Sequence, residues 1–121
     1  MTVDDQSVFR SVAREVIEAT PGFHTVGEAV SGEEALRVVD TIRPQLVLLD
    51  VRMPGMNGVE TARRLSSAHP ELVIVLISLE DRADVPSDAG DSGAATFVRK
   101  QDFGPSLLRT LWDAHGRTGD V

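Results

Sequence analysis

The stretch Leu46-Val47-Leu48-Leu49-Asp50 is followed at once by Val51-Arg52-Met53-Pro54-Gly55-Met56-Asn57-Gly58, and these residues decide the fold. An unbroken apolar run of this length is typical of a strand buried on both faces, as in a parallel sheet covered by helices. The Pro-Gly and Asn-Gly steps predict a shaped loop after the strand, so Asp50 lies at its carboxyl end. In open α/β sheets that edge is where ligands bind. Taken alone, Asp50 is equally well explained as the cap of a turn.

Polar residues also follow three other predicted strands, at the point where each strand ends. Adjacent parallel strands end at the same edge of a sheet, so these groups are expected to converge with Asp50. Taken alone, each of these groups is explained equally well as a helix cap, a strand terminator or a solvated surface charge. Their joint placement favours a shared site. The groups are Asp4 and Asp5 after Met1-Thr2-Val3, Ser78 after the run 71–77, and Lys100 after the run 95–99.

Helical segments alternate with these strands. The alternation predicts a parallel sheet with right-handed crossovers. One further segment, 81–93, has a proline, two glycines and a single branched apolar residue, so we expect only a short or mobile helix beginning near Pro86. The predicted helices are Gln6 to Ala19, Glu33 to Ile42, Val59 to Ala68 and Pro105 to His115, and the remaining predicted strand is Phe23 to Val30.

Length and composition predict one domain. A chain of 121 residues with 41% hydrophobic residues can bury a single core. It has no cysteine, which excludes disulfides and thiolate metal sites. Neither a signal peptide nor an apolar run of the roughly 20 residues that span a bilayer is present, so we expect a cytoplasmic protein without membrane contact. The net charge of −7 would repel a phosphate backbone, and we expect no direct binding of nucleic acid by this chain.

The order and spacing of the polar residues resemble the response-regulator receiver domain, the phosphoacceptor module of two-component signalling. Five separated positions match in order, and Ser78 and Lys100 follow Asp50 at intervals of 28 and 50 residues. The resemblance covers essentially the whole chain. It implies an α/β fold, a flavodoxin-like, doubly wound, five-stranded parallel sheet in the order 2-1-3-4-5 with helices on both faces. Val26-Gly27-Glu28-Ala29 and Ser31-Gly32-Glu33-Glu34-Ala35-Leu36 look most like the subclass whose receiver precedes a helix-turn-helix DNA-binding domain.

The predicted cluster of carboxylates requires a cation. Asp4, Asp5 and Asp50 bring three negative charges, which would repel one another and an incoming phosphoryl group. Oxygen ligands without a nearby Cys or His favour Mg²⁺, with Mn²⁺ as the alternative. The resemblance implies that Asp5 and Asp50 bind Mg²⁺ directly, that Asp4 acts largely through water, and that the backbone carbonyl of Arg52 completes the protein ligands.

The resemblance assigns the chemistry to Asp50. It implies that this carboxylate accepts a phosphoryl group from a phosphohistidine of a sensor histidine kinase, and that the chain is no enzyme beyond self-phosphotransfer and autodephosphorylation. The Ser78 hydroxyl and the Lys100 ammonium would hold the added oxygens. Movement of Ser78 towards them would free space for Phe97, which occupies the family's switch position. An ordinary core phenylalanine explains Phe97 equally well.

Partners and domain boundaries follow from the same resemblance. Residues 1–116 are expected to form the receiver domain. The polar residues 117–121 are either a frayed end or the start of a linker to a C-terminal DNA-binding domain. The expected partners are a sensor histidine kinase and a second copy of the chain in a homodimer. The expected output is control of an attached domain or partner, with transcription as the regulated process.

Other functional classes fit the residues less well. A phosphatase with an aspartate nucleophile has a second acid two residues after the first, where this chain has Arg52. A flavodoxin-like FMN-binding protein needs a neutral phosphate loop after its first strand, where Asp4 and Asp5 would repel the phosphate. The serious alternative is an interaction domain of the same fold that works without phosphorylation, and only the behaviour of Asp50 distinguishes it.

Two features depart from the family pattern. Only Met1-Thr2-Val3 precede the acidic pair, although the first strand should be central. Either the start is misplaced or the domain is marginal, because each missing buried aliphatic residue would remove roughly 1.5–3 kcal/mol. Leu79 follows the hydroxyl where the family has a small residue, and Arg52 is expected to pair with Glu80 across the entrance. We expect these residues to slow both phosphorylation and hydrolysis.

Overall fold

The computed structural model describes residues 1–80 and 87–116 of the chain. Strands and helices alternate along these residues, and the four predicted α-helices are present with bounds that differ by one residue at most. The elements are β1 (Thr2–Val3), α1 (Ser7–Ala19), β2 (Glu28–Ala29), α2 (Gly32–Ile42), β3 (Leu46–Asp50), α3 (Gly58–Ala68), β4 (Val73–Ser78), β5 (Thr96–Arg99) and α4 (Pro105–His115), with short 3₁₀-helices at Ser87–Asp91 and Lys100–Asp102.

The five strands form one parallel sheet in the order β2-β1-β3-β4-β5, which confirms the predicted topology. Val3 on β1 pairs with Leu49 on β3. The residues that follow this pair, Asp4 and Asp50, are therefore level with each other at the carboxyl edge of the sheet. The other strands run in the same direction, so their carboxyl ends lie along the same edge.

The central strand β3 is buried on both faces, as its apolar sequence predicts. Val47 and Leu49 belong to a core with residues of α2 and α3, whereas Leu48 belongs to a second core with residues of α1 and α4. All three side chains are fully buried. This alternation is the two-residue period of a strand. Helices therefore cover both faces of the sheet, and the predicted doubly wound α/β fold is confirmed.

The edge strand β2 is shorter than predicted. The prediction of a strand from Phe23 to Val30 was wrong, because only Glu28–Ala29 pairs with the sheet. An edge strand pairs only with its single neighbour, and here that neighbour, β1, has two residues. Before β2 the chain turns towards α1 instead, where Thr25 N donates a hydrogen bond of 2.7 Å to Glu18 Oε2.

Strand β1, which lies between β2 and β3, is as short as its sequence predicts. Its two residues pair with β2 on one side and with β3 on the other. The preceding Met1 is also buried, and its carbonyl accepts a hydrogen bond of 2.9 Å from Leu48 N. These contacts hold the acidic pair that follows β1 at the middle of the sheet edge.

Among the described residues between β4 and β5 lies a 3₁₀-helix at Ser87–Asp91. It agrees with the short helix expected near Pro86, although residues 81–86 lie outside the described part of the chain, as does the expected tail at 117–121. Ser66 Oγ on α3 donates a hydrogen bond to the carbonyl of Ser92, which ties the end of this segment to α3. No helix of the described residues is both long enough and apolar enough to cross a membrane.

Candidate functional site

The carboxyl edge of the sheet gathers the polar residues that the sequence predicts to form a site. One carboxylate oxygen from each of Asp4, Asp5 and Asp50 lies within 4.8 Å of the others. Lys100, the first residue after β5, places its Nζ atom 2.6 Å from Asp4 Oδ2 and 3.7 Å from Asp50 Oδ2. Ser78 ends β4, the strand between β3 and β5. All five predicted residues thus lie at one edge of the sheet.

Asp4 is held rigidly by the start of α1. Its side chain is completely buried. Its Oδ1 atom accepts a hydrogen bond of 2.8 Å from Gln6 N, and its main-chain carbonyl accepts one of 2.7 Å from Arg10 Nη1. The Oδ2 atom has no hydrogen-bond partner among the described residues and faces only the Lys100 ion pair. Asp4 therefore presents one oxygen to the pocket with unused capacity for a ligand.

Asp50 is a buried carboxylate in an unfavourable electrostatic environment. It is 5% exposed, and its Oδ1 atom accepts only one long hydrogen bond, of 3.4 Å, from Arg52 N. The pKa of Asp50 is raised from 3.8 to about 6, chiefly because the carboxylate is buried away from water and next because of the negative charge of Asp4, while the charge of Lys100 and the Arg52 hydrogen bond act in the opposite direction. The pocket therefore holds more negative charge than its one ammonium group balances.

The donor set fits a hard divalent cation. Three carboxylates supply oxygen ligands, and Asp5 is exposed, so a hydrated ion can reach the cluster. The buried Oδ2 atom of Asp4, which is ion-paired with Lys100 but accepts no hydrogen bond from the described residues, and the raised pKa of Asp50 both indicate that further positive charge would be favourable at this point. Mg²⁺ prefers such oxygen ligands and commonly retains several waters. The residues present are thus compatible with the predicted metal.

Ser78 is buried at the end of β4 and directs its oxygen to the backbone of the following loop. Ser78 Oγ accepts a hydrogen bond of 3.0 Å from Glu80 N. A hydroxyl that accepts in this way still has its own proton to donate. Leu79, expected to narrow the approach to Asp50, is 69% exposed and lies at the surface next to the pocket. Its effect on phosphorylation stays a prediction.

The predicted pair between Arg52 and Glu80 is confirmed. Arg52 Nε lies 2.6 Å from Glu80 Oε1, and Arg52 Nη2 lies 3.3 Å from Glu80 Oε2, so the guanidinium contacts the carboxylate through two hydrogen bonds. The pair joins the loop after β3 to the loop after β4. The Arg52 side chain is 59% exposed, so the pair contributes little to stability but fixes two loops beside the pocket.

Phe97, the predicted switch residue, lies on β5 opposite Leu76 of β4. It is partly buried and packs against the core between the sheet, α2 and α3. With Ala89, Gly90 and Ala94 it lines an open cavity next to the segment that joins β4 and β5. A neighbouring cavity is what a moving aromatic ring requires, but the same contacts suit a stationary core residue, so the switch role stays a prediction.

A glycine that the sequence analysis did not assign to the site shapes the loop after β3. Gly58 begins α3 directly after the cap residue Asn57, whose side chain accepts a hydrogen bond from Glu60 N. A Cβ atom on Gly58 would lie 2.0 Å from the backbone oxygen of Asp50. Only glycine therefore permits α3 to start this close to the phosphoacceptor candidate. The Asn-Gly step in the sequence indicated a turn but not this contact.

Phe9 is the second residue that the sequence analysis did not assign to the site. Its ring centroid lies 4.7 Å from Lys100 Nζ, on the side of the pocket formed by α1. In the sequence, Phe9 belongs to the apolar stripe of α1, and that spacing gives the same signal for any core residue. Nothing in the spacing indicates that the ring meets a charged group.

Residues 1–111 match the model of the response regulator receiver domain. The chain belongs to the response regulator receiver family. This match confirms the family that the sequence analysis predicted. The receiver domain is a signalling module of two-component systems. The alternative of an interaction domain that works without phosphorylation is not favoured by this membership.

The receiver domain is similar to several curated proteins with different names. It is 33% identical over 100 residues to the response regulator GacA of Pseudomonas viridiflava, covering 83% of this chain and 47% of that protein. It is 27% identical over 109 residues to the transcriptional regulatory protein DegU of Brevibacillus brevis, covering 90% and 46%. It is 36% identical over 102 residues to a protein-glutamate methylesterase/protein-glutamine glutaminase of Pseudoalteromonas atlantica, covering 84% and 27%. The chain thus spans about half the length of GacA and DegU.

A solved structure shows the same architecture. The signal receiver domain of the putative response regulator NarL from Mycobacterium tuberculosis aligns with a TM-score of 0.83 and 30% sequence identity. The alignment covers 94% of this receiver domain and 92% of that chain. The match over nearly the full length of both chains supports the sheet order and the helix placement described above.

Proposed function

We propose that this receiver domain accepts a phosphoryl group on Asp50 from the phosphohistidine of a sensor histidine kinase. The observation that carries this proposal is the charge arrangement at the sheet edge. Three carboxylates lie within 4.8 Å of one another, with Lys100 Nζ 3.7 Å from Asp50. Structural roles do not require three acids so close together, whereas a site that binds a cation and a phosphoryl group does.

Phosphoryl transfer to Asp50 requires only the phosphohistidine and a proton from water. An oxygen of the Asp50 carboxylate forms a bond to phosphorus while the P–N bond of the phosphohistidine breaks. The imidazole leaves with the electron pair and takes up a proton from solvent water, and Asp50 becomes an acyl phosphate. Asp50 is the candidate nucleophile because it ends the central strand and is flanked by both other acids.

The neighbouring side chains would bind the added oxygens. The Lys100 ammonium would donate a hydrogen bond to one phosphoryl oxygen, and the Ser78 hydroxyl would donate a hydrogen bond to another. A Mg²⁺ ion held by Asp4, Asp5, Asp50 and the main-chain carbonyl of Arg52 would supply the positive charge that allows a phosphoryl group to approach the carboxylates, and Mn²⁺ would substitute for it. Lys100 then exchanges its present partner, Asp4, for the phosphoryl group.

Conformational switching is proposed to start from Ser78. Drawing its hydroxyl towards the phosphoryl group would break the hydrogen bond that Ser78 Oγ accepts from Glu80 N. The loop after β4 would shift, and Phe97 would turn inwards from the cavity beside Ala89 and Gly90. The phosphoryl group shifts the equilibrium only by binding one of the two arrangements better than the other.

The rest of the signalling pathway is proposed from the relatives. Residues 1–116 would form the receiver, and residues 117–121 the tail or the start of a linker. The proposed partners are a sensor histidine kinase, a second receiver in a homodimer and a DNA-binding output domain. The similarity to DegU, named a transcriptional regulatory protein, supports transcription as the output, whereas the similarity to a methylesterase shows that related receivers occur with other outputs.

Intact-mass spectrometry tests the proposal. The protein is incubated with acetyl phosphate and Mg²⁺, and a gain of one phosphoryl group is expected in the wild type and in Asp113→Asn, an exposed aspartate on α4. Asp50→Asn should show no gain, and EDTA should abolish the gain in the wild type. A folded wild-type protein that stays unmodified, or an Asp50→Asn variant that is modified equally, would overturn the assignment.

A further inference from the structure

We propose that Phe9 is a positioning residue for Lys100, whose ammonium group it holds in the pocket through a cation–π contact. The inference rests on the proposed role of Lys100 in binding the phosphoryl group. Lys100 Nζ lies 4.7 Å from the centroid of the Phe9 ring, inside the limit of about 6 Å for such contacts. The Lys100 side chain is 7% exposed and Phe9 is 9% exposed, so water screens the contact little.

The ring differs from the other two partners of Lys100 in being uncharged. Asp4 and Asp50 both carry other proposed roles, as metal ligand and as phosphoacceptor. Both carboxylates therefore become less available to Lys100 when the site is loaded. A ring face attracts the ammonium group without using a hydrogen bond. Phe9 can thus retain Lys100 at the pocket while the N–H groups of its ammonium turn from Asp4 to the phosphoryl oxygens.

Phe9 also contacts the far end of the short turn that carries Lys100. This turn, the 3₁₀-helix Lys100–Asp102, is closed by a hydrogen bond of 3.2 Å from Phe103 N to the Lys100 carbonyl. The Phe9 and Phe103 rings pack in a tilted arrangement with centroids 6.2 Å apart. One ring on α1 therefore contacts both the first residue of the turn and the residue that follows it.

The position of Phe9 is coupled to that of the acidic pair. Asp4 is fixed by Gln6 N and by the Arg10 side chain, which flank the first turn of α1. Phe9 lies on the same turn. The start of α1 consequently presents a carboxylate and an aromatic face to the same ammonium group, and this places Lys100 between α1 and the end of β3.

The first test detects the contact between Phe9 and Lys100 in the metal-free protein. Lys100 is the only lysine among the 121 residues, so labelling with ¹³C-lysine gives a single CεH₂ signal in a proton–carbon NMR spectrum. The ring current of Phe9 should shift this signal upfield of free lysine. Phe9→Leu should remove the shift. Phe23→Leu should keep it, because Phe23 makes its own cation–π contact with Arg109, away from the pocket. An unshifted wild-type signal would overturn the proposal.

The second test separates the ring's charge distribution from its shape. Phenylalanines with one, three and five ring fluorines are introduced at position 9, which weakens the negative face of the ring stepwise with little change in packing. The phosphorylation rate with acetyl phosphate and Mg²⁺ should fall stepwise, by about three- to tenfold over the series, the effect expected of a partly desolvated cation–π contact. The same series at Phe23 is the matched control and should leave the rate unchanged.

The outcomes distinguish this inference from the proposed function. If the wild type is phosphorylated but its rate does not follow the fluorine series at Phe9, the positioning role is refuted and the function stands. If the wild type takes up no phosphoryl group, the proposed function fails, and the NMR signal alone decides whether Phe9 holds Lys100. A fall in rate of equal size in the series at Phe23 would show a general effect of fluorination and refute the proposal.

Discussion

Removing the charge of Asp50 should stabilise the metal-free receiver domain. The pKa of Asp50 is raised from 3.8 to about 6, first by burial and then by the charge of Asp4. The folded protein therefore binds this proton more tightly than the unfolded chain does, and the ionised carboxylate lowers the free energy of unfolding at neutral pH. Asp50→Asn keeps the shape of the side chain and an oxygen that can accept the Arg52 N–H.

The size of the effect follows from the pKa shift. Two pKa units correspond to about 3 kcal/mol if the group were fully shielded. Asp5 is exposed beside it, so solvent reaches the pocket, and we expect about 1–2 kcal/mol at pH 7. For a domain of this size that is a rise in Tm of roughly 4–10 °C. Lys100 keeps its closer partner, Asp4, at 2.6 Å in the variant.

Urea unfolding of both proteins in EDTA measures the difference. The variant and the wild type should be equally stable below about pH 3, well under the ordinary pKa of 3.8, because Asp50 is then protonated in both the folded and the unfolded state. The advantage of Asp50→Asn should grow as the pH rises from about 4 to above 6 and then stay constant. Millimolar Mg²⁺ should stabilise the wild type more than the variant and close the gap.

Two results would refute this reasoning. A variant less stable than the wild type at pH 7 in EDTA would show that Asp50 contributes favourable interactions that outweigh its burial. A stability difference that does not change between pH 4 and pH 7 would show that it does not arise from the charge. The exposed control Asp113→Asn should change the free energy of unfolding by less than about 0.5 kcal/mol at either pH.

Two further substitutions test the loops around the pocket. Gly58→Ala should destabilise the protein by about 2–3 kcal/mol and slow phosphorylation, because the added Cβ collides with the Asp50 backbone oxygen, and urea unfolding measures it. Gly104→Ala, where a Cβ meets nothing within 4 Å, is the control, and an equal loss in both variants would contradict the argument. Glu80→Ala should change stability by less than about 0.5 kcal/mol. By removing the link between the loops after β3 and β4, it should nevertheless speed both phosphorylation by acetyl phosphate and the later loss of the phosphoryl group, and unchanged rates would show that the pair does not restrict the site.

The fold could be predicted because its strongest signals are local. The apolar run that ends at Asp50 is a buried strand in any context, and its alternating side chains enter the two cores as a strand requires. The extent of β2 could not be predicted in this way. Of the predicted strand from Phe23 to Val30, only Glu28–Ala29 pairs with β1, and the length of a neighbouring strand is not encoded in the sequence of β2.

The site could be predicted at the level of residue identity but not of interaction. The chain order and the parallel sheet suffice to bring Asp4, Asp50 and Lys100 to one edge. They do not determine that Lys100 lies closer to Asp4 than to Asp50, since a difference of about one ångström depends on side-chain packing. The contact between Phe9 and Lys100 could not be predicted either. Its place in the helical pattern of α1 is the same whether the ring packs only against the sheet or also contacts an ammonium group.

These details explain how the pocket can be both buried and reactive. An ammonium group fully neutralised by one carboxylate would leave the other acids in excess, and the pKa of Asp50 is raised first by its burial and then by the nearby charge of Asp4. Burying unbalanced charge costs stability, and it persists where function requires it. In the proposed mechanism, the contact with the Phe9 ring would keep Lys100 in the pocket when it exchanges Asp4 for the phosphoryl group. The metal-free protein is therefore strained electrostatically in the direction that a divalent cation and a phosphoryl group together relieve.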